Sequence, residues 1–135
     1  MLQLYFLSVA SNALAGAALA GDWLAERFPG LRPLVEFLSR RRARLAAGLC
    51  SLFVGLITFI FPSRPPLILG DLAPSLAGLG MGVALLFEVL RQESLFPAEK
   101  EGTMGRGQIA YRTTLGMIGL AVAVVHFFLP ERIVL

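Results

Sequence analysis

An uncharged apolar run bounded by two arginines occupies residues 44–64, RLAAGLCSLFVGLITFIFPSR. No charged side chain lies between Arg44 and Arg64, and Pro62 marks the end of the apolar section. At about 1.5 Å per residue, a helix of this length covers most of the roughly 30 Å hydrocarbon core of a bilayer. The run therefore predicts a transmembrane helix.

The same pattern returns 68 residues later as RTTLGMIGLAVAVVHFFLPER, residues 112–132. Seven of the twenty-one aligned positions are identical. Three of these are the boundary residues Arg, Pro and Arg, which are not the apolar residues that any membrane span would share. The same shift places Phe28-Pro29 on Phe96-Pro97. Self-similarity at a fixed spacing indicates repeated structural units. We therefore predict two units, repeat 1 over about residues 1–66 and repeat 2 over about residues 67–135.

The composition agrees with a membrane location for the whole chain. Hydrophobic residues make up 56% and charged residues 16% of the 135 positions, whereas soluble domains carry about 25% charged residues. An ordinary soluble enzyme, a disordered tail and a nucleic-acid module are therefore excluded. Four apolar runs are long enough to cross a bilayer. They cover about residues 2–20, 45–61, 72–90 and 113–129.

These runs and the repeat together predict an all-α integral membrane protein with a single membrane domain over residues 1–135. Its four transmembrane helices are expected to form two tandem helical hairpins. Because each hairpin crosses the membrane twice, the second begins on the same side as the first. The two are then parallel repeats, related by a pseudo-twofold axis along the membrane normal.

Basic residues predict the orientation of the helices. Ten of the twelve lysines and arginines lie in the two segments that join the first span to the second and the third to the fourth, and only Arg64 and Arg132 lie at the opposite ends. Since basic residues collect on the cytoplasmic side, both joining segments are expected in the cytoplasm and both termini outside. The expected location is the bacterial inner (cytoplasmic) membrane.

The first joining segment predicts a short amphipathic helix at the cytoplasmic interface between transmembrane helices 1 and 2. Leu31, Leu34, Val35 and Leu38 fall on one helical face, and Pro33 suits a helix start. The arginines that follow are expected to contact anionic lipid headgroups at the inner face, or a partner protein as the alternative. These arginines are Arg40, Arg41, Arg42 and Arg44.

Small residues recur about every four positions in all four runs. In lipid, such faces let helix backbones approach closely, and this close packing drives helix association. We therefore predict helix-packing roles for these residues. They are Ala13, Ala17, Gly21, Ala47, Ser51, Gly55, Gly78, Gly82, Gly119 and Ala123.

Three polar residues inside the runs are candidates for function, because such residues are costly in a membrane. Asn12 lies near the middle of the first run and is expected to hydrogen-bond across helices. Glu88 stands three residues before Arg91, which favours an interfacial ion pair over proton transfer. His126, about one turn before Pro130, is expected to reach outward. A structural role is favoured for each of them.

The sequence contains no set of residues that indicates catalysis. HExxH, GxSxG, CxxC and Walker A motifs are absent. Cys50 is the single cysteine and His126 the single histidine, so no metal or haem ligand set is expected. We expect no catalytic residue, no cofactor and no metal, and the chain is not predicted to be an enzyme.

The expected function is that of a structural or accessory subunit, which packs through small-residue helix faces in a larger membrane protein assembly. Its expected partners are the lipid bilayer and other membrane protein subunits or further copies of itself; nucleic acid is not expected. The alternative is a homo-oligomeric small channel or transporter with a pathway at the repeat axis. The residues available to line such a pathway are Ser8, Ser11, Asn12, Ser51, Thr58, Thr113, Thr114 and His126. A lipid- or quinone-handling enzyme is a third hypothesis, but it lacks a catalytic set.

Overall fold

A computed structural model describes residues 2–61, 72–92 and 103–128 of the chain. Within these residues the protein forms six α-helices and no strands, which confirms the prediction of an all-helical chain. The predicted outer turn at residues 62–70, residues 93–102 of the second joining segment and Pro130 lie outside the described residues. The helices are α1 (Leu2–Leu19), α2 (Gly21–Arg27), α3 (Arg32–Ser39), α4 (Arg41–Ile60), α5 (Leu72–Gln92) and α6 (Thr103–Phe128).

Three of these helices are long and apolar enough to cross a membrane. They are α4 over Arg41–Ile60, α5 over Leu72–Arg91 and the Ala110–Phe128 part of α6. A fourth apolar stretch consists of α1 and α2, which are bent by 81° where they join. The apolar runs in the sequence therefore locate the long helices correctly, although the first of them is followed by a sharp bend.

The bend between α1 and α2 lies at Ala20. Its φ and ψ of −89° and 14° depart from helical values, yet the Ala20 N–H still donates to the Gly16 carbonyl at 2.9 Å. Beyond α2, Phe28 adopts a non-helical conformation with φ −128° and ψ 84°, because the following residue, Pro29, disfavours a helical conformation there. A 3₁₀ turn then leads into α3, which begins with Pro33 in its first turn.

The last helix begins earlier than its apolar run. The sequence predicts a span from about residue 113, whereas α6 already begins at Thr103. The additional helical turns contain Gly105, Arg106 and Gly107, a glycine-bearing polar stretch that resembles a loop by composition. Hydropathy locates the part of a helix that fits hydrocarbon, and it does not detect a polar extension of the same helix.

The helices pack around α1 and α5. Helix α1 contacts α4, α5 and α6, and α5 contacts both α4 and α6. Among the described residues, α4 and α6 do not contact each other. Helix α3 lies against the ends of α1 and α4. The interior is built from small and apolar side chains, with Ala15, Leu19, Met81 and Leu85 at 1% exposure or less.

Candidate functional site

Helices α4 and α5 cross with their backbones in direct contact. A Cβ atom added to Gly82 would lie 2.8 Å from the backbone nitrogen of Leu52 and 2.9 Å from the carbonyl oxygen of Gly48. One added to Gly55 would lie 2.9 Å from the backbone nitrogen of Leu79. Since real Cβ contacts are longer than this, only glycine fits at these positions.

Helices α1 and α6 make a second crossing of the same kind. A Cβ atom at Gly116 would lie 2.6 Å from the backbone nitrogen of Ala20 and 2.7 Å from the carbonyl oxygen of Gly16. One at Gly16 would lie 2.9 Å from the Gly116 carbonyl oxygen. A Cβ at Gly119 would overlap the side chain of Met81 on α5. The two crossings hold the chain together through backbone contact.

The residues predicted for helix packing lie mostly in the interior. Nine of them are buried, and Ala13 is half-buried. The predicted set omits Gly16, Gly48 and Gly116, which make some of the closest approaches. Gly48 and Gly116 are identical across the 68-residue repeat, and that identity is the signal that could have found them. By contrast, a Cβ at Gly80 would meet nothing within 4 Å.

A buried polar cluster joins α1, α4 and α5. The Asn12 side chain, 2% exposed, donates from Nδ2 to the Pro74 carbonyl at 3.0 Å. Ser51 donates to the Gly78 carbonyl at 3.0 Å, and Ser75 donates to the Thr58 hydroxyl at 2.9 Å. Each of these bonds runs from one helix to another, so the cluster connects helices as the sequence predicts for Asn12.

One buried oxygen atom of this cluster accepts no hydrogen bond from the described residues. Among the described residues, no hydrogen-bond donor reaches Asn12 Oδ1. The atom faces α5, where a Cβ on Gly78 would lie 2.9 Å from it. The absence of a side chain at Gly78 therefore makes room for the Asn12 amide.

An ionic cluster lies at the end of the bundle where α4 begins and α5 ends. Glu88, 8% exposed, faces two arginines from different helices. Its Oε2 lies 3.3 Å from Arg44 Nη1 of α4, and its Oε1 lies 2.5 Å from Arg112 Nε of α6. The sequence pointed to Arg91 as the partner because of its helical spacing. The structure brings in Arg44 and Arg112, which are an identical pair of the repeat.

His126 and Tyr5 meet at the opposite end of the bundle. The Tyr5 hydroxyl donates to the His126 carbonyl at 2.5 Å, and the two rings have centroids 4.8 Å apart. His126 is 5% exposed. Its side chain therefore packs against α1 rather than extending outward as the sequence suggests.

The remaining candidate residues lie at the surface. Arg40, Arg41 and Arg42 are exposed around the first turn of α4, and Arg44 is half-buried. Cys50 is exposed on α4. Among the residues that the structure describes, no three His, Cys, Asp or Glu side chains come together as metal ligands.

An apolar groove of about 550 Å³ runs along the outer side of α5 and α6. It contains Gly80, whose open surroundings contrast with those of Gly78 and Gly82 on the same helix. Tyr111 of α6 contributes its phenol ring. The other lining residues are Leu76, Leu79, Val83, Ala84 and Phe87.

These features define an all-helical protein with membrane-length apolar helices, closed by glycine contacts and joined by polar bonds between helices. The chain belongs to a protein family of unknown function, whose model matches residues 1–126. No curated protein and no solved structure matches it.

Proposed function

We propose that the protein is a four-span membrane subunit of structural or accessory type, which works inside a larger assembly of membrane proteins. The observation that carries this proposal is the use of the buried polar side chains. The side chains of Asn12, Ser51 and Ser75 form hydrogen bonds to other helices. Glu88 of α5 bridges two arginines, one on α4 and one on α6. Polar groups used in this way stabilise a bundle.

The buried faces of α4 and α6 support the two-hairpin organisation. Gly48, Ser51, Gly55 and Thr58 are buried on α4. The positions 68 residues later are also buried on α6, and they are Gly116, Gly119, Ala123 and His126. The repeat seen in the sequence therefore coincides with the faces that pack inward.

The first helices of the two hairpins correspond with a slightly different shift. An offset of 67 places Ser8, Ser11, Ala15 and Ala18 of α1 on buried positions of α5, namely Ser75, Gly78, Gly82 and Leu85. This offset differs by one residue from the shift of 68 that relates α4 to α6. Helix α1 contacts α5, so the pseudo-twofold axis is proposed to pass between them.

The ionic cluster supports the proposed orientation. Arg44 and Arg112, one from each hairpin, converge on Glu88, so the basic ends of both hairpins are at one end of the bundle. By the positive-inside rule, this end faces the cytoplasm. Both termini then face outward from the inner membrane.

A glycine double variant tests the structural role. Gly78→Leu with Gly82→Leu is expected to open the α4–α5 crossing and to release polypeptides that co-purify with the wild-type protein after mild detergent extraction. Membrane insertion, measured by resistance to carbonate extraction, is expected to persist because hydropathy rises. Normal co-purification and thermal stability of the variant would contradict the proposal.

A second candidate function, a homo-oligomeric channel or transporter, is favoured by one observation. Asn12 Oδ1 is buried without a hydrogen-bond donor among the described residues, and it lies between α1 and α5. In this case, purified protein in liposomes should pass protons, potassium or small solutes, and Asn12→Leu should abolish the flux. Flux equal to that of empty liposomes would eliminate this candidate.

A further inference from the structure

Helix α3 has one apolar face that packs on the bundle and another that faces away from it. Leu38 is 4% exposed, and Val35 packs against Gly21. Leu34 and Phe37 of the same helix remain 42% and 55% exposed. The bundle therefore covers only part of the apolar surface of this short helix.

The uncovered surface continues onto the preceding turn and α2. Trp23, Phe28 and Leu31 are all exposed, and the rings of Trp23 and Phe28 have centroids 6.3 Å apart. These side chains lie outside α4, α5 and α6, so contact with the acyl chains around those three helices does not account for their exposure. Trp23 belongs to the α2 part of the bent α1–α2 pair, which is turned by 81° from α1.

The same segment has an excess of positive charge. Residues 21–42 contain five arginines and three carboxylates, and all five arginines are exposed. The Arg40 guanidinium lies 5.9 Å from the ring centroid of Phe37, in cation–π range. Apolar and basic side chains thus share one surface. The arginines are Arg27, Arg32, Arg40, Arg41 and Arg42.

We propose that this surface, residues 21–42, binds the headgroups of anionic phospholipids in the leaflet that it faces. The 81° bend turns α2 away from α1, so that α2 lies nearly parallel to the membrane when α1 crosses it. In this position the aromatic and leucine side chains enter the boundary between headgroups and acyl chains, and the arginines bind phosphates. The inference rests on membrane insertion but not on the presence of partner subunits.

Charge complementarity favours anionic lipid as the occupant. Arginines at the interface gain attraction from a negatively charged leaflet, and the exposed rings and leucines gain burial in the same place. The first turn of α4 reinforces the positive potential, since it has no acidic residue and no side-chain N-cap. An acidic protein surface would neutralise the arginines, but its charged side chains would not bury the exposed apolar side chains.

The test uses Trp23, which is the only tryptophan of the protein. The full chain is reconstituted in liposomes that contain equal amounts of phosphatidylglycerol and phosphatidylcholine, with bromine on the acyl chains of one or the other. We expect brominated phosphatidylglycerol to quench Trp23 fluorescence more strongly, by about twofold or more. The difference should shrink in 1 M salt, where the screening length falls to about 3 Å.

Two matched variants identify the source of the preference. Arg40→Gln with Arg42→Gln is expected to remove most of it, whereas Lys100→Gln with Arg106→Gln, which removes the same charge elsewhere, is expected to retain it. Equal quenching by the two brominated lipids in the wild-type protein would overturn the proposal. Failure of either lipid to quench Trp23 would also overturn it and would indicate a protein or water-facing surface.

Discussion

The α4–α5 and α1–α6 crossings use the same backbone contact but different side-chain chemistry. Gly48 and Gly116, which are identical at a spacing of 68 residues, lie at the two crossings: Gly48 of α4 meets α5, and Gly116 of α6 meets α1. Ser51 adds a hydrogen bond at the first crossing, whereas the corresponding residue, Gly119, packs on Met81 instead. The comparison teaches that the two crossings share a close glycine contact, whereas the hydrogen bonds beside it differ: buried hydroxyl groups bond between α4 and α5, and the Tyr5 hydroxyl bonds from α1 to α6 near the end of that pair.

The basic end of the bundle also departs from the proposed repeat. There Glu88 of α5 lies beside Arg44 of α4 and Arg112 of α6. A shift of 68 or 67 residues from Glu88 leads to Ala20, at the bend after α1, and to Gly21 of α2, which pack against Gly116 and Val35. A single carboxylate therefore serves both arginines, and no second carboxylate stands at the position that the proposed repeat would give it.

The largest expected effect comes from filling a glycine crossing. Gly82→Leu and Gly116→Leu should each destabilise the bundle by about 3 kcal/mol or more, because the new side chain overlaps backbone atoms. Thermal unfolding in detergent measures this loss. Gly80→Leu is the matched control, since it lies on α5 beside Gly82 but meets open space, and it should leave stability unchanged within about 0.5 kcal/mol. Similar losses for Gly80→Leu and Gly82→Leu would show that the crossing is not where the structure places it.

Removal of the shared carboxylate is expected to have the next largest effect. Glu88→Gln should cost about 2 kcal/mol, because it leaves two mostly buried arginines without their counter-charge. Asp22→Asn, at an exposed position on α2, should cost little. Adding Arg112→Gln to Glu88→Gln should restore part of the lost stability. Purely additive losses in the double variant would show that the two side chains are not coupled.

A smaller effect is expected for the hydrogen bond that distinguishes the two crossings. Ser51→Ala should reduce stability by about 0.6 kcal/mol, which is typical of hydrogen bonds between helices in membranes. Ser39→Ala on the exposed end of α3 is the control. An unchanged melting temperature for Ser51→Ala would mean that the Ser51 bond contributes nothing to the α4–α5 crossing, which the glycine contacts and the Ser75–Thr58 bond would then hold without it.

The smallest expected effect lies at the end opposite Glu88. Tyr5→Phe removes the hydroxyl that donates to the His126 carbonyl but keeps the ring contact. A loss of about 0.5 kcal/mol is expected by thermal unfolding. Tyr5→Ala should reduce stability more, since it also removes the ring. Equal losses of stability in the two variants would show that ring packing against His126 contributes nothing.

The sequence was sufficient to locate the helices, but it was insufficient to predict which side chains of different helices contact one another. Apolar runs and prolines locate α4 and α5 within a few residues, because hydrocarbon thickness determines span length. The pairing of Glu88 with Arg44 and Arg112 could not be read in the same way, since it depends on how α4, α5 and α6 are arranged around one another. Spacing along one helix pointed only to Arg91, which is three residues from Glu88 in the chain, whereas Arg44 and Arg112 come from other helices.

The glycine positions show a similar division. A four-residue spacing found Gly78 and Gly82, whose neighbours on α4 continue the crossing. Gly16 was missed because the predicted row in the first run was Ala13, Ala17 and Gly21, whereas Gly116 meets the row of Gly16 and Ala20. Gly116 was missed because the residue four positions further on is Leu120, so that no small-residue pair marks it. The polar start of α6 escaped as well, because its composition resembles that of a loop.

The mass and composition of the complex that mild detergent extracts from the native membrane test the central claim most directly. If the protein is a structural subunit, native mass spectrometry will find it with other polypeptides in a fixed ratio. A particle whose mass is a whole multiple of 14.6 kDa, with no second polypeptide, would contradict the claim and would favour a homo-oligomeric pathway.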